Sequence, residues 1–231
     1  MYTGHFATAL LFHSYNPSLT PFSFTFGVCI IDIVFGLLIL FGLERIDLNV
    51  KGTSVDLYCP ISHSLLGSVA ISYLWDYIDI TGKYFIPLFF SSFTHFIEDW
   101  FVHNWDLPLY PFSSIYVGGT CFHAKYPRAA FYFELILCIL CSIVAWRRKI
   151  LDNSQLTVQI SLFLSIAYIL LMHYLCRKSI SGELANLLKK EQDIKKQRRM
   201  MGVVSLKAFV IPAIILGTLL ELPRIFKLFI E

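Results

Sequence analysis

Charge is scarce in this chain. Of its 231 residues, 15% are Asp, Glu, Lys or Arg, against about 25% in an ordinary soluble domain. So little charge excludes a soluble globular domain. The net charge is only +3, and the positive residues gather near the C-terminus, where they bear on membrane topology and leave no footprint for nucleic acid. Met1 to Ser14 carry no Lys or Arg and no small-residue cleavage site, so the start reads neither as a secretory signal nor as an Arg-rich transit peptide. The cysteines are Cys29, Cys59, Cys121, Cys138, Cys141 and Cys176, mostly in or beside apolar runs. They read as packing residues, and no disulfide scaffold is expected. Cys138 and Cys141 have CxxC spacing without a second pair. No internal repeat and no pair of broken helices is expected, which counts against a transporter.

What is abundant is apolar. The chain is 56% hydrophobic, with a mean hydropathy of +0.64. This predicts an integral membrane protein: an all-α, polytopic bundle forming a single domain over 1–231, with about six spans. A short N-terminal helix, Thr3 to Phe12, precedes them. The spans are expected at Phe22–Leu43, Ile61–Tyr77, Tyr84–His103, Ala129–Trp146, Leu156–Cys176 and Val203–Leu220. Ile46 to Cys59 reads as a polar loop with a turn at Gly52-Thr-Ser54, and residues 107–128 as an ordered cap. Ser181 to Met201 is strongly charged and reads as a surface helix able to contact water, anionic lipid or a partner protein. The basic stretch Arg177 to Arg199 is expected to face the cytoplasm or the mitochondrial matrix. Arg147-Arg-Lys149 then falls on the other side, against the rule. That topology leaves His5 opposite His63 and His103, unless the first helix dips into the bundle.

Ionisable groups inside apolar runs are costly and therefore informative. His95, Asp99 and His103 recur every four residues, which stacks them on one helix face. Asp106 follows, just before a proline that ends a helix. His5, Asp32 and His63 stand in or beside other apolar segments. Imidazoles and carboxylates on facing helices suit a bundle-core site for a divalent metal such as Zn²⁺, Mn²⁺ or Fe²⁺. Hydrogen-bonded buried side chains without an ion are the plain alternative for each. Glu98 points about a third of a turn from Asp99 and reads as a supporting residue. His13, His123 and His173 carry no such pattern.

Gly4-His5, Asp32, Gly42-Leu-Glu44, Pro60-Ile-Ser-His-Ser-Leu-Leu66, His95-x3-Asp99-x3-His103 and Asp106-Leu-Pro-Leu-Tyr-Pro111 occur in that order. The set resembles a group of bacterial inner-membrane proteins classed as membrane-bound metal-dependent hydrolases, themselves remotely similar to zinc-dependent phospholipase C. The resemblance covers 1–146, with 147–231 supplying further spans and the charged helix. It implies His5, Asp32, His63, His95 and Asp99 as ligands of a divalent ion, zinc first among them, with His103 and Asp106 flanking. Asn104-Trp105 stands where that group has Arg-Pro, and Val117-Gly-Gly-Thr-Cys121 replaces a block ending in Trp-Asn. The first departure removes a cation that could hold a phosphate.

Two functions follow as expectations. One is a membrane-embedded metal-dependent hydrolase acting on a lipid-like ester or phosphoester, with Asp99 or Asp106 as general base. The other is a non-catalytic subunit of a larger membrane complex, held among other membrane proteins with bound lipid. The membrane would be a bacterial-type inner membrane or the mitochondrial inner membrane.

Overall fold

The computed structural model describes residues 1–47, 56–79, 81–151, 155–176 and 190–230. The expected turn at Gly52-Thr-Ser54 and residues 181–189 of the charged segment lie outside them. The described chain is all-α apart from two small two-stranded pairings.

Helix α1 (Tyr2–Tyr15) lies in the middle of the molecule, with every residue from Thr3 to Leu10 buried. Small and apolar residues cover its whole circumference, and a helix apolar all round is stable only when surrounded. It packs on α2 (Pro21–Gly27), α5 (Phe85–Trp100), α7 (Pro127–Leu151) and α8 (Leu156–Leu175). The first helix thus does enter the bundle, and His5 joins His63 and His103.

The first expected span is broken. Helix α2 starts with Pro21, and α3 (Ile30–Phe41) follows after a bend of 54° at residues 28 and 29. A broken pair therefore exists where the sequence suggested an unbroken helix. After α3, β1 (Arg45–Asp47) pairs antiparallel with β2 (Asp56–Tyr58) inside the expected polar loop. Helix α4 (Leu65–Asp76) begins at Ser64, whose hydroxyl accepts from Gly67 N at 3.0 Å. The cap consists of β3 (Leu107–Pro108) against β4 (Tyr116–Gly118), then α6 (Phe122–Lys125). The last element, α9 (Ile194–Ile230), runs unbroken through Pro212 and Pro223.

Among the described residues, three helices are long and apolar enough to cross a membrane: Pro127–Lys149, Leu156–Leu175 and Ile194–Leu228. A fourth span exists if the bent α2–α3 pair counts as one. The expectation of six is corrected. Helices α4 and α5 have 12 and 16 residues, about 18 and 24 Å at 1.5 Å per residue, short of the ~30 Å hydrocarbon layer. Their apolar runs are cut short by the polar groups they bury: Ser68, Ser72 and Asp76 on one, Ser91, Ser92, His95, Glu98 and Asp99 on the other. Residues 194–201 of the charged segment are not a separate surface helix but the first two turns of α9. At 37 residues α9 is about 55 Å long, so its charged start projects beyond an apolar layer.

The α3–α9 contact depends on Gly36, where an added Cβ would sit 2.9 Å from Leu206 Cγ and 3.2 Å from Leu206 N. Small residues let membrane helices approach this closely. Gly36→Val is expected to lower the thermal midpoint of the detergent-solubilised protein by about 5 °C, from ~1–3 kcal/mol of overpacking at ~2–4 °C per kcal/mol. An unchanged midpoint would show that the two helices are not in contact.

Candidate metal centre

The break between α2 and α3 leaves the Val28 carbonyl pointing at α5, where it accepts a hydrogen bond from His95 Nδ1 at 2.7 Å. A carbonyl cannot donate, so Nδ1 carries the proton and Nε2 of a neutral imidazole presents a lone pair. His95 Nε2 is buried and has no hydrogen-bond partner. It lies 3.3 Å from Asp32 Oδ2 and 3.3 Å from Asp99 Oδ2.

His63 is fixed by a longer relay. Glu44, 1% exposed, accepts from Ile61 N at 2.8 Å, Ser62 N at 2.9 Å and Ser62 Oγ at 2.7 Å. Because Ser62 gives its hydroxyl proton to Glu44, its oxygen accepts from His63 Nδ1 at 2.8 Å. His63 Nε2 then faces inward, 3.4 Å from Asp32 Oδ1 and 3.5 Å from Asp99 Oδ2. Burial opposes a charge on His63, while the carboxylates of Asp32 and Asp99 beside it favour one and raise its pKa, and a bound ion would take the place of that proton.

The same arrangement recurs twice more. His5 Nε2 is 3.2 Å from Asp99 Oδ1. Its Nδ1 lies 2.8 Å from Glu98 Oε2, off the line that a hydrogen bond needs. His103 Nε2 is 3.9 Å from Asp99 Oδ2, and its Nδ1 is 2.9 Å from Asp106 Oδ1. His103 is not on the helix: α5 ends at Trp100, and His103 curls back in the following turn. Its carbonyl accepts from Cys121 N at 2.7 Å. Gly119, at φ +125°, brings the cap so close that a side chain there would strike the Asn104 carbonyl. The amino group of Met1 also contacts Asp99 Oδ1.

Four imidazoles therefore turn Nε2 toward one pair of carboxylates, Asp32 and Asp99. Three of the four Nδ1 atoms are hydrogen-bonded outward, to a carbonyl, a hydroxyl or a carboxylate. That orientation is characteristic of metal-ligating histidines. His5, His95 and Asp99 form one triad of possible ligands; Asp32, His63 and His95 form another; His63, Asp99 and His103 form a third. Separations of 3.2 to 3.5 Å between Nε2 and carboxylate oxygen match the ~3.4 Å between two tetrahedral ligands bonded at about 2.0–2.1 Å. The donor set fits a divalent ion.

The chain thus brings His5, Asp32, His63, His95, Asp99 and His103 into one cluster. Asp106 stands behind His103, and Glu98, 7% exposed, stands behind His5. His13, His123 and His173 lie elsewhere. The cluster is most open at its edge, where the side chains of His103 and Asp106 are 10% and 27% exposed.

Sequence reasoning missed the supports. Glu44 appeared only as part of a motif, and the Val28 carbonyl carries no sequence signal. Glu134 accepts from Thr3 N at 2.7 Å and Gly4 N at 3.0 Å, fixing the start of α1 and hence His5. A lone carboxylate in the apolar run 129–146 was the available sign, since such a group needs a partner.

Glu44→Ala leaves three donors without an acceptor, two of them buried. At ~1–3 kcal/mol for each unsatisfied group, a fall in thermal midpoint of at least 5 °C is expected, read by a melt in detergent. Glu44→Gln keeps one acceptor oxygen and should lose less; equal losses would remove the relay from the account.

No family model, no curated protein and no solved structure matches the chain, so this geometry is the ground on which its function is assigned.

Proposed function

We propose that the chain is a membrane-embedded metal-dependent hydrolase of lipid-like esters or phosphoesters, kin to the membrane-bound metal-dependent hydrolases its motifs resemble. The observation that carries this reading is the convergence of four inward-facing Nε2 atoms on Asp32 and Asp99, with the lone pair of His95 left unpartnered. His5, Asp32, His63, His95 and Asp99 would hold the ion, with His103 beside them. Mixed nitrogen and oxygen donors suit zinc first. A divalent ion supplies Lewis acidity to an ester or phosphoester and acidifies water.

The remaining roles belong to the chain's own groups. Asp99 is surrounded by imidazoles and holds them in place. Asp106 is more exposed and is the carboxylate positioned to accept a proton at the edge of the cluster, with His103 hydrogen-bonded to it. Trp100, Phe101, Trp105, Tyr110, Phe112 and Tyr116 are exposed around the cap. Amphipathic aromatics of this kind settle at a membrane interface, which favours a substrate arriving from lipid.

One observation favours the second reading, an accessory subunit of a larger membrane complex that keeps the hydrolase-like centre as structure. His5, His63 and His95 are each 1% exposed, and the two cavities described in the molecule line other residues.

Elemental analysis of the purified full chain tests the centre. At least one divalent ion per chain, chiefly zinc, is expected, with most of it lost in His95→Ala. A metal-free wild-type preparation that stays folded, and whose midpoint His95→Ala leaves unchanged, would overturn the metal reading. Chelator-sensitive hydrolysis of ester or phosphoester lipids in detergent, diminished by Asp106→Asn, separates the two functions. A metal-loaded protein without hydrolysis, migrating on native gels as a large stable assembly, would assign it to the complex.

A further inference from the structure

A second site lies at the far end of α1. His13 is eight residues beyond His5, about 12 Å along the helix, and borders a separate cavity of about 160 Å³. That is well above the ~15 Å³ needed for one water by this measure. Lys149 and Arg224 line the same cavity, with Leu162, Leu220 and Pro223 as apolar wall. No carboxylate is among the described residues that line it.

The donors are few and identifiable. Ser14 and Ser161 also face the cavity, but their hydroxyls donate to Leu11 O at 2.7 Å and Leu219 O at 2.6 Å. His13 is 9% exposed, and its Nδ1 is buried without a hydrogen-bond partner. A buried polar atom left this way costs about 1–3 kcal/mol, so a ligand that pairs with it gains. Arg224 is held at the rim: its Nη2 donates to Pro17 O at 2.6 Å and Leu19 O at 3.0 Å, and its Nη1 to Glu221 at 3.2 Å. The charges of Lys149 and Arg224 both act on His13.

The position in the fold selects the anion. Lys149 is the last residue of one span, and Val158, also on the cavity wall, is the third residue of the next. The cavity therefore opens where the apolar layer ends, at the depth of lipid headgroups. Lys recognises phosphate as a point charge, and Arg224, whose Nη groups are held by Pro17, Leu19 and Glu221, adds its charge at the rim.

We propose that His13, Lys149 and Arg224 form a phosphate-binding site, occupied by the headgroup of an anionic phospholipid whose acyl chains lie along α7 to α9. The site stands apart from the metal centre and does not depend on it.

Native mass spectrometry of the full chain in detergent tests it, with phosphatidylglycerol, phosphatidylcholine and inorganic phosphate added separately. Phosphatidylglycerol is expected to bind, and Lys149→Gln to weaken it at least tenfold. Lys83→Gln, which removes an exposed charge elsewhere, should bind as wild type. His13→Leu should weaken it too; if that variant misfolds, Lys149→Gln decides. Phosphate binding sensitive to Lys149→Gln without lipid binding would keep the site and assign it to the free anion. Equal retention of phosphatidylcholine, or phosphatidylglycerol binding unchanged by Lys149→Gln, or no binding of either phosphate source, would overturn the proposal.

Discussion

Two carboxylates buried at the centre of an apolar bundle set the terms for everything around them. Asp32 is 8% exposed and Asp99 6%. Placing two like charges there would cost several kcal/mol per ion without compensation. Four imidazoles and the Met1 amino group supply that compensation in the chain itself. A divalent ion would supply more in less space. Either way the carboxylates need partners on several elements at once, because one helix cannot aim enough side chains at a point. The fold is arranged to deliver them: His5 from α1, Asp32 from α3, His63 from the turn before α4, His95 and Asp99 from α5, His103 from the turn after it.

That demand explains features that otherwise look costly. Running α1 through the core removes its amides from water, and Glu134 in a membrane span accepts from its first N–H groups. Another buried carboxylate, Glu44, sits outside the cluster and orients His63 through Ser62. Glu44 is worthwhile only if the imidazole behind which it stands must keep one fixed orientation. A set of histidines serving merely to neutralise Asp32 and Asp99 would tolerate rotation, since an imidazolium donates from either nitrogen. Fixed tautomers matter when a lone pair has to be presented.

Much of this was legible in the sequence, for identifiable reasons. Charge scarcity and long apolar runs announced membrane helices, and α7, α8 and α9 have that length and composition. The four-residue spacing of His95 and Asp99 put both on the buried face of α5. Other features escaped because they depend on pairing across the chain. The two central apolar runs resembled spans by composition but are shortened by their polar faces. The bend at Val28 and Cys29 follows no proline, and Gly27 before it was its one mark. His103 kept the helical spacing, and its N–H still bonds to the Asp99 carbonyl, although the regular helix ends at Trp100. Glu44 and Glu134 are single residues whose meaning lies in the donors they meet.

The position of the centre also follows from backbone chemistry. Inside a membrane helix most carbonyls are already bonded to an amide four residues on, so few backbone acceptors are left to orient a side chain from another element. Accordingly, the three apolar spans contribute no residue to the cluster. Its orienting groups sit where helices start, stop or break: the Val28 carbonyl at the α2–α3 bend, Ser62 in the turn before α4, Asp106 after α5. The short helices α4 and α5 are thus the means by which irregular backbone is brought inside the bundle while remaining covered by protein.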